Sequence, residues 1–110
     1  MINVSILRDS SGFIRQFSVE GHAGFAGYGQ DIVCAAVSVT AYTAAGALED
    51  LAGIKDCYSE SEGRFICSIP ADISEKQKLT AGIILETTVI GFKQIELKYA
   101  EFLKVMEKEV

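Results

Sequence analysis

The chain has 110 residues, of which 49% are hydrophobic, and its formal net charge is −5 at pH 7. This length supports one hydrophobic core and is too short for two, and the hydrophobic content excludes a disordered chain. The sequence has no cluster of Lys and Arg, which phosphate binding requires, so nucleic acid is not an expected partner. We expect one domain over residues 1–110 with an acidic surface that suits a basic peptide or protein.

The cysteines also limit the protein class. They are three in number, Cys34, Cys57 and Cys67, and show no disulfide-framework spacing. The first seven residues alternate apolar and polar side chains, which predicts a strand and not a secretion signal. Since no uninterrupted apolar stretch is long enough to cross a bilayer, we expect a cytoplasmic protein with free thiols and no membrane contact.

The N-terminal region has the pattern of a β-hairpin. Ile2, Val4 and Ile6 share one face of a first strand, and a turn follows at residues 9–12. The second strand is predicted to place Ile14 on one face and four residues on the other, namely Phe13, Arg15, Phe17 and Val19.

A glycine-rich loop and a helix follow. Residues 21–30 contain four glycines, which exclude regular structure and allow unusual backbone angles. Asp31 has the residue type of a helix N-cap, and Gly53 that of a helix end, so we predict an Ala-rich helix between them.

The second half repeats the order of two strands and a helix. Residues 54–60 and 64–69 are predicted to form a hairpin, and Ser74 with Gln77 forms a capping box for a helix that extends to about Tyr99. A final strand is predicted from Leu103. The predicted fold class is α+β, with two α-helices packed on one face of a largely antiparallel β-sheet.

His22 and Cys34 are the candidate catalytic pair. His22 is the only histidine, and Cys34 lies twelve positions later (34 − 22). If Asp31 caps the helix, Cys34 is in the first turn, where the positive end of the helix favours a thiolate. An imidazole beside a thiol is the arrangement that nucleophilic thiol catalysis needs, and the glycine loop offers backbone N–H groups for an oxyanion.

Spacing alone leaves other interpretations open. A cysteine in an Ala-rich helix is often a small core residue, and a single histidine often lies on the surface. His22 and the three cysteines have the ligand types of a zinc site, although no short C-x-x-C pair is present. Cys57 and Cys67 alternate with apolar residues on adjacent predicted strands and are interpreted as buried core thiols.

Two segments around these residues form a specific pattern. They are Gly21-His22-Ala23 and, after the glycine loop, Gly29-Gln30-Asp31-Ile32-Val33-Cys34-Ala35-Ala36-Val37-Ser38. This pattern resembles that of the ribosomal-processing cysteine protease family Prp. The resemblance implies catalysis by His22 and Cys34, with Asp31 and Ser38 beside the site and with no metal or cofactor. It also implies a bacterial, cytoplasmic homodimer. The substrate that the resemblance implies is the N-terminal extension of ribosomal large-subunit protein twenty-seven, cut after a hydrophobic segment that ends in paired Phe.

The residues around the pair have alternative roles. Asp31 either caps the helix or orients His22. The Ser38 hydroxyl either approaches the Cys34 sulfur or donates a hydrogen bond to a carbonyl of its own helix. The loop is expected to act as a substrate gate, formed by Gly24, Phe25, Gly27, Tyr28 and Gly29. Two rival functions are a non-catalytic ribosome-associated binding domain and a thiol redox enzyme, although the latter usually needs a second thiol nearby.

Overall fold

The computed structural model describes residues 1–21 and 28–110, with the side chains of residues 1–21 and 32–110. Its elements in chain order are β1 (Ile2–Arg8), β2 (Ile14–Glu20), α1 (Tyr28–Ala52), β3 (Tyr58–Ser61), β4 (Arg64–Ser68), α2 (Glu75–Lys98) and β5 (Leu103–Glu109). The predicted order of strands and helices is therefore confirmed.

The five strands form one sheet in the order β3-β4-β2-β1-β5. Every neighbouring pair is antiparallel except β1 and β5, which run parallel. Both helices pack on one face of this sheet, as predicted. The edges of the sheet are β3, which lies beside α1, and β5, which lies beside α2.

Strand β1 forms the middle of the core. Its inward residues Ile2, Val4 and Ile6 are at most 1% exposed, which confirms the alternation seen in the sequence. They meet Phe17 of β2 and the buried side chains of both helices, including Leu48 and Phe92. This packing holds α1 at a fixed position over the sheet.

The predicted faces of β2 are partly wrong because the strand contains a β-bulge. The pairing changes from Leu7 with Gln16 to Arg8 with Ile14, so Arg15 is the extra residue. A bulge of one residue reverses the faces on one side of it. Ile14 is consequently buried on the same side as Phe17, and does not point to the opposite face.

Helix α1 begins earlier than predicted. It starts at Tyr28, so the prediction that Asp31 is the N-cap is wrong, and Tyr28 and Gly29 of the predicted gating loop lie in the helix. Gly29 lowers helix stability by about 1 kcal/mol, which weakens a helix without excluding it. Cys34 is the seventh residue counted from Tyr28, beyond the first turn.

The C-terminal end of α1 agrees with the prediction. Gly53 has a φ of +68°, and its N–H donates to the carbonyl of Glu49 at 3.1 Å. This is the left-handed glycine cap that commonly ends a helix. Helix α2 likewise begins with the predicted capping box, in which Ser74 accepts from the Gln77 N–H at 3.1 Å and the Gln77 side chain accepts from the Ser74 N–H at 2.9 Å.

The expectation that no segment is apolar enough to cross a membrane needs correction. Residues 32–52 of α1 have a mean hydropathy of 1.5 over 21 residues, which satisfies a length and composition test for a membrane span. A search for long runs of large apolar residues misses this segment because many of its side chains are small Ala side chains. The core helix of a soluble protein satisfies the same test, and Val33, Val37 and Leu48 of α1 are buried against the sheet and α2.

Candidate active site

A cavity of about 110 Å³ lies between α1 and the hairpin formed by β3 and β4. From α1 it is lined by Cys34, Ser38 and Tyr42. These residues are four positions apart, so they lie one above another along one face of the helix. The Cys34 side chain is partly exposed, and its thiol is free.

The hairpin supplies the opposite wall of the cavity, and β1 and β2 supply its floor. The apolar lining consists of Ile2 and Val19 on the floor and of Val37, Ala41 and Phe65 on the walls. Polar groups make the rim, namely Ser38, Tyr42, Glu60, Ser61 and Arg64. Apolar walls with a few polar groups are the usual lining of a ligand site, and the volume of this cavity suits one side chain of a ligand.

Stacked aromatic rings connect the cavity wall to the core. Phe65 lies 5.9 Å from Phe17 and 5.1 Å from Tyr58, measured between ring centroids. Tyr42 of α1 meets Phe65 edge to face at 5.5 Å. Such pairs add stability beyond their buried area, so the hairpin is held firmly against the helix that carries Cys34.

The charged groups at the rim are paired. The Tyr42 hydroxyl donates a short hydrogen bond to the Glu60 carboxylate, and this bond raises the pKa of Tyr42. Arg64 pairs with Glu20 at 3.3 Å, with both side chains half exposed. Exposed pairs of this kind contribute little stability. Their main effect is on the distribution of charge around the rim.

Gly21 is the last described residue before His22, and it lies at the cavity wall. Its N–H donates to the carbonyl of Gly63, a residue that lines the cavity, at 3.1 Å. Its φ is +76°, and a Cβ at this position would lie 2.9 Å from the Met1 carbonyl oxygen. Only glycine fits this backbone without strain.

The predicted site residues are described to different extents. Cys34 and Ser38 line one cavity, as their spacing indicated. His22, Gly24, Phe25 and Gly27 lie outside the described residues. For Tyr28, Gly29 and Asp31, the structure describes only the helical backbone.

Sequence reasoning missed the residues that complete the cavity. Tyr42 could have been found, because it continues the four-residue spacing of Cys34 and Ser38. Glu60, Arg64 and Phe65 gave no such signal, since their contact with α1 depends on how the hairpin packs.

The other two thiols lie away from this cavity. Cys57 is 7% exposed and Cys67 is fully buried, and their sulfur atoms are 3.7 Å apart. Burial, together with the neighbouring Cys57, raises the pKa of the Cys67 thiol. Their interpretation as buried core thiols is confirmed. Among the described side chains, those of residues 1–21 and 32–110, no group of three or more His, Cys, Asp or Glu is arranged to hold a metal ion.

The whole chain is similar to proteins of known class. Residues 1–104 match the family model described as cysteine protease Prp. The ribosomal processing cysteine protease Prp of Bacillus subtilis is 32% identical over 107 residues, which cover 96% of each chain.

Two crystal structures of the Staphylococcus aureus ribosomal processing protease Prp share the fold. One holds a substrate peptide, with a TM-score of 0.85 and 25% identity; the other holds a covalently linked product peptide, with a TM-score of 0.82 and 26% identity. In both cases the match covers 98% of this chain and 100% of the other. With a partly exposed thiol at the wall of a small cavity and a family match over residues 1–104, the chain belongs to the Prp family of cysteine proteases.

Proposed function

We propose that this protein is an endopeptidase that removes the N-terminal extension of ribosomal large-subunit protein twenty-seven, with Cys34 as nucleophile and His22 as base. The observation that carries the proposal is the Cys34 thiol, which opens into a cavity large enough for a substrate side chain. The covalently linked product peptide in the Staphylococcus aureus relative supports catalysis through a covalent intermediate.

The proposed reaction has two stages. His22 takes the thiol proton while the Cys34 sulfur attacks the carbonyl carbon of the scissile peptide bond, and His22 then gives that proton to the leaving amine. Water, deprotonated by the same imidazole, attacks the resulting thioester and breaks its C–S bond. The new carboxyl group is released, and the imidazolium returns its proton to the Cys34 sulfur. Backbone N–H groups of the glycine loop are the proposed donors to the oxyanion.

His22 is the proposed source of thiol activation because Cys34 lies beyond the first turn of α1. The positive end of a helix acts mainly within its first turn. Gly21 supports a short distance between the two residues, since its bond to Gly63 holds the chain at the cavity wall one residue before His22.

Asp31 and Ser38 have proposed positioning roles. Because α1 begins at Tyr28, Asp31 lies inside the helix, one turn before Cys34. We therefore propose that Asp31 orients His22. Ser38 lies one turn after Cys34 in the same cavity, and helical side chains lean toward the N-terminus. Its hydroxyl is therefore proposed to bind the peptide beside the sulfur.

The cavity suits one aromatic side chain of the substrate. Its volume of about 110 Å³ is close to that of a cavity that holds benzene, which is about 150 Å³. Val37, Ala41 and Phe65 provide apolar walls. A Phe before the scissile bond would fill this space and place its carbonyl carbon near Cys34.

Cleavage of a defined peptide tests the proposed function directly. The probe is a synthetic peptide that spans the N-terminal extension and the first residues of the mature ribosomal protein, read by mass spectrometry. We expect one cut after the paired Phe. A peptide in which both Phe are replaced by Asp is the control, and equal cleavage of both peptides would contradict the proposal.

The glycine loop is proposed to be a gate that orders over bound peptide, through Gly24, Phe25 and Gly27. Ordering each residue costs roughly 1–2 kcal/mol, which substrate contacts must supply. We expect fast amide exchange across residues 22–27 in the free protein and protection with an uncleavable peptide. Strong protection without peptide would show that the loop is always closed.

We also propose that the protein is a cytoplasmic homodimer with one protease domain in each chain. An apolar stripe runs along the outer face of α2 and consists of Leu79, Ile83, Ile90 and Leu97, which are 60–81% exposed. Successive residues of the stripe are four, seven and seven positions apart, so they form one line along the helix, opposite its buried face. Exposed apolar stripes of this extent commonly mark interfaces between proteins.

The dimer prediction is tested by Ile83→Glu, which places a charge in the middle of the stripe. We expect the wild-type chain to sediment at twice 11.9 kDa and the variant at 11.9 kDa. Leu51→Glu is the matched control, because Leu51 is 71% exposed on α1 and is not a member of the α2 stripe. A wild-type chain that remains at 11.9 kDa at micromolar concentration would contradict the dimer.

A further inference from the structure

We propose that the substrate peptide binds as an extra β-strand along the outer edge of β3, and that a basic residue of the peptide occupies an acidic cleft at the far end of this edge. This inference rests on the proposed protease function and adds to it the conformation and charge of the bound peptide. Addition of a strand to a sheet edge is a recurring way to bind extended peptides.

The two edges of the sheet differ in whether another strand has access to them. At β5, the Glu96 side chain accepts a hydrogen bond from the Val105 N–H at 2.8 Å. Lys93 also bonds to Glu107 over this edge at 2.6 Å. Covered and charged edges resist pairing with further strands. The β5 edge is therefore blocked.

At β3, all four residues are exposed. In the described part of the chain, no side chain bonds to the backbone of β3. The edge beside α1 is thus the accessible one.

The backbone groups that face outward from β3 can be identified from its pairing with β4. The carbonyl of Cys57 accepts from the Ser68 N–H at 2.7 Å, so Cys57 belongs to a hydrogen-bonded pair. Hydrogen-bonded and non-hydrogen-bonded pairs alternate along an antiparallel ladder. Ser59 and Ser61 consequently bond to β4, while the N–H and C=O groups of Tyr58 and Glu60 point away from it. These four groups are the ones available to a peptide.

The accessible edge leads to the proposed nucleophile. Glu60 and Ser61 at the C-terminal end of β3 line the same cavity as Cys34. A strand rises about 3.3 Å per residue, so the four residues of β3 span about 13 Å. A peptide paired with this edge therefore has its scissile bond near Cys34 at one end and extends along β3 at the other.

The far end of β3 is acidic. A second cleft, with a volume of about 340 Å³, extends along β3 to this end. It is lined by Glu49 and Asp56, by Tyr58 and Ser59, and by Glu60, which also lines the first cavity. Its described lining contains three carboxylates and no Lys or Arg. Since like-charged groups in a cleft attract the opposite charge, a Lys or Arg about three to five residues from the scissile bond suits this position.

Amide hydrogen exchange tests the strand pairing. The probe is the same synthetic peptide, bound at saturation to the Cys34→Ala variant, which holds it uncut. We expect exchange at the Tyr58 and Glu60 amides to slow at least tenfold on binding. Ser59 and Ser61 are the internal controls, because their amides already bond to β4 and should change little.

The result separates this inference from the proposed function. If wild-type protein cuts the peptide but Tyr58 and Glu60 exchange at their free rates, the strand inference is overturned and the protease function stands. If the peptide is neither cut nor bound, both are overturned.

A charge substitution tests the acidic cleft. Asp56 has a φ of +55°, a conformation that Asn also tolerates, so Asp56→Asn removes the charge with little change in the backbone. For a peptide with Lys at the predicted distance, we expect KM to rise several-fold at low salt while kcat stays unchanged. Glu101→Gln is the control, since Glu101 is exposed and follows α2, away from the cleft. Equal effects of the two substitutions, or no effect of either, would overturn the proposed basic contact.

Discussion

Replacing Cys34 with alanine is expected to abolish peptide cleavage while the fold is retained. The sulfur is the proposed nucleophile, and alanine has no group that can form the thioester. Cys34 is only partly buried at the border of the core, so the loss of one sulfur atom leaves a small packing defect. Peptide cleavage by mass spectrometry gives the activity, and thermal unfolding followed by circular dichroism gives the stability.

The control for this experiment is Cys57→Ala, which removes a thiol that lies outside the cavity. Because Cys57 is 7% exposed and packs against Cys67, its replacement is expected to lower stability more than activity. Cleavage at the wild-type rate by the Cys34→Ala variant would end the proposal that Cys34 is the nucleophile.

Replacing His22 with alanine is expected to lower turnover by orders of magnitude and to slow alkylation of Cys34 at neutral pH. His22 is the only imidazole in the chain, and imidazole is the side-chain base that ordinarily titrates near neutrality. General acid–base catalysis typically contributes about 10²–10⁴-fold to the rate. The change in turnover is measured with the peptide, and the change in alkylation with iodoacetamide.

Alkylation can be assigned to one residue because the thiols differ in burial. Cys57 and Cys67 are buried, so iodoacetamide should modify them only after unfolding, whereas Cys34 is partly exposed. An unchanged alkylation rate in the His22→Ala variant would mean that another group activates the sulfur. A normal turnover in the same variant would exclude His22 as the base.

The sequence predicted the elements whose signals are local. The alternation at Ile2, Val4 and Ile6 and the capping box at Ser74 each depend on neighbours within a few residues. The same holds for the glycine end of α1, where Gly53 adopts the positive φ that its residue type indicated. These signals were sufficient for the order of elements and for the α+β class.

Features that depend on packing between distant segments were not predictable in the same way. The bulge at Arg15 depends on the pairing of β2 with β1, and the sequence pattern around it is that of a regular strand. The start of α1 at Tyr28 overrides the low helix propensity of Gly29. The cavity walls from Glu60 to Phe65 depend on the contact of Tyr42 with the hairpin.

For the candidate site, spacing and resemblance predicted the residues on α1 but not the shape of the space beside them. Cys34 and Ser38 were placed on one helix face by their separation of four, and the cavity contains both. The free edge of β3, in contrast, is a property of the strand order. No window of the sequence shows that β3 is an edge and that β4 is not.

The parallel pairing of β1 with β5 sends the two chain ends to opposite sides of the molecule. Ile2 lines the cavity and the Met1 carbonyl lies against Gly21, whereas Val110 bonds to Arg8 at the far end of β1. Seven residues of strand separate these positions by about 20 Å. Residues fused before Met1 would therefore crowd the entrance used by the peptide, while a fusion after Val110 would leave it open. Purification tags, fluorescent reporters and surface-immobilisation handles accordingly belong at the C-terminus.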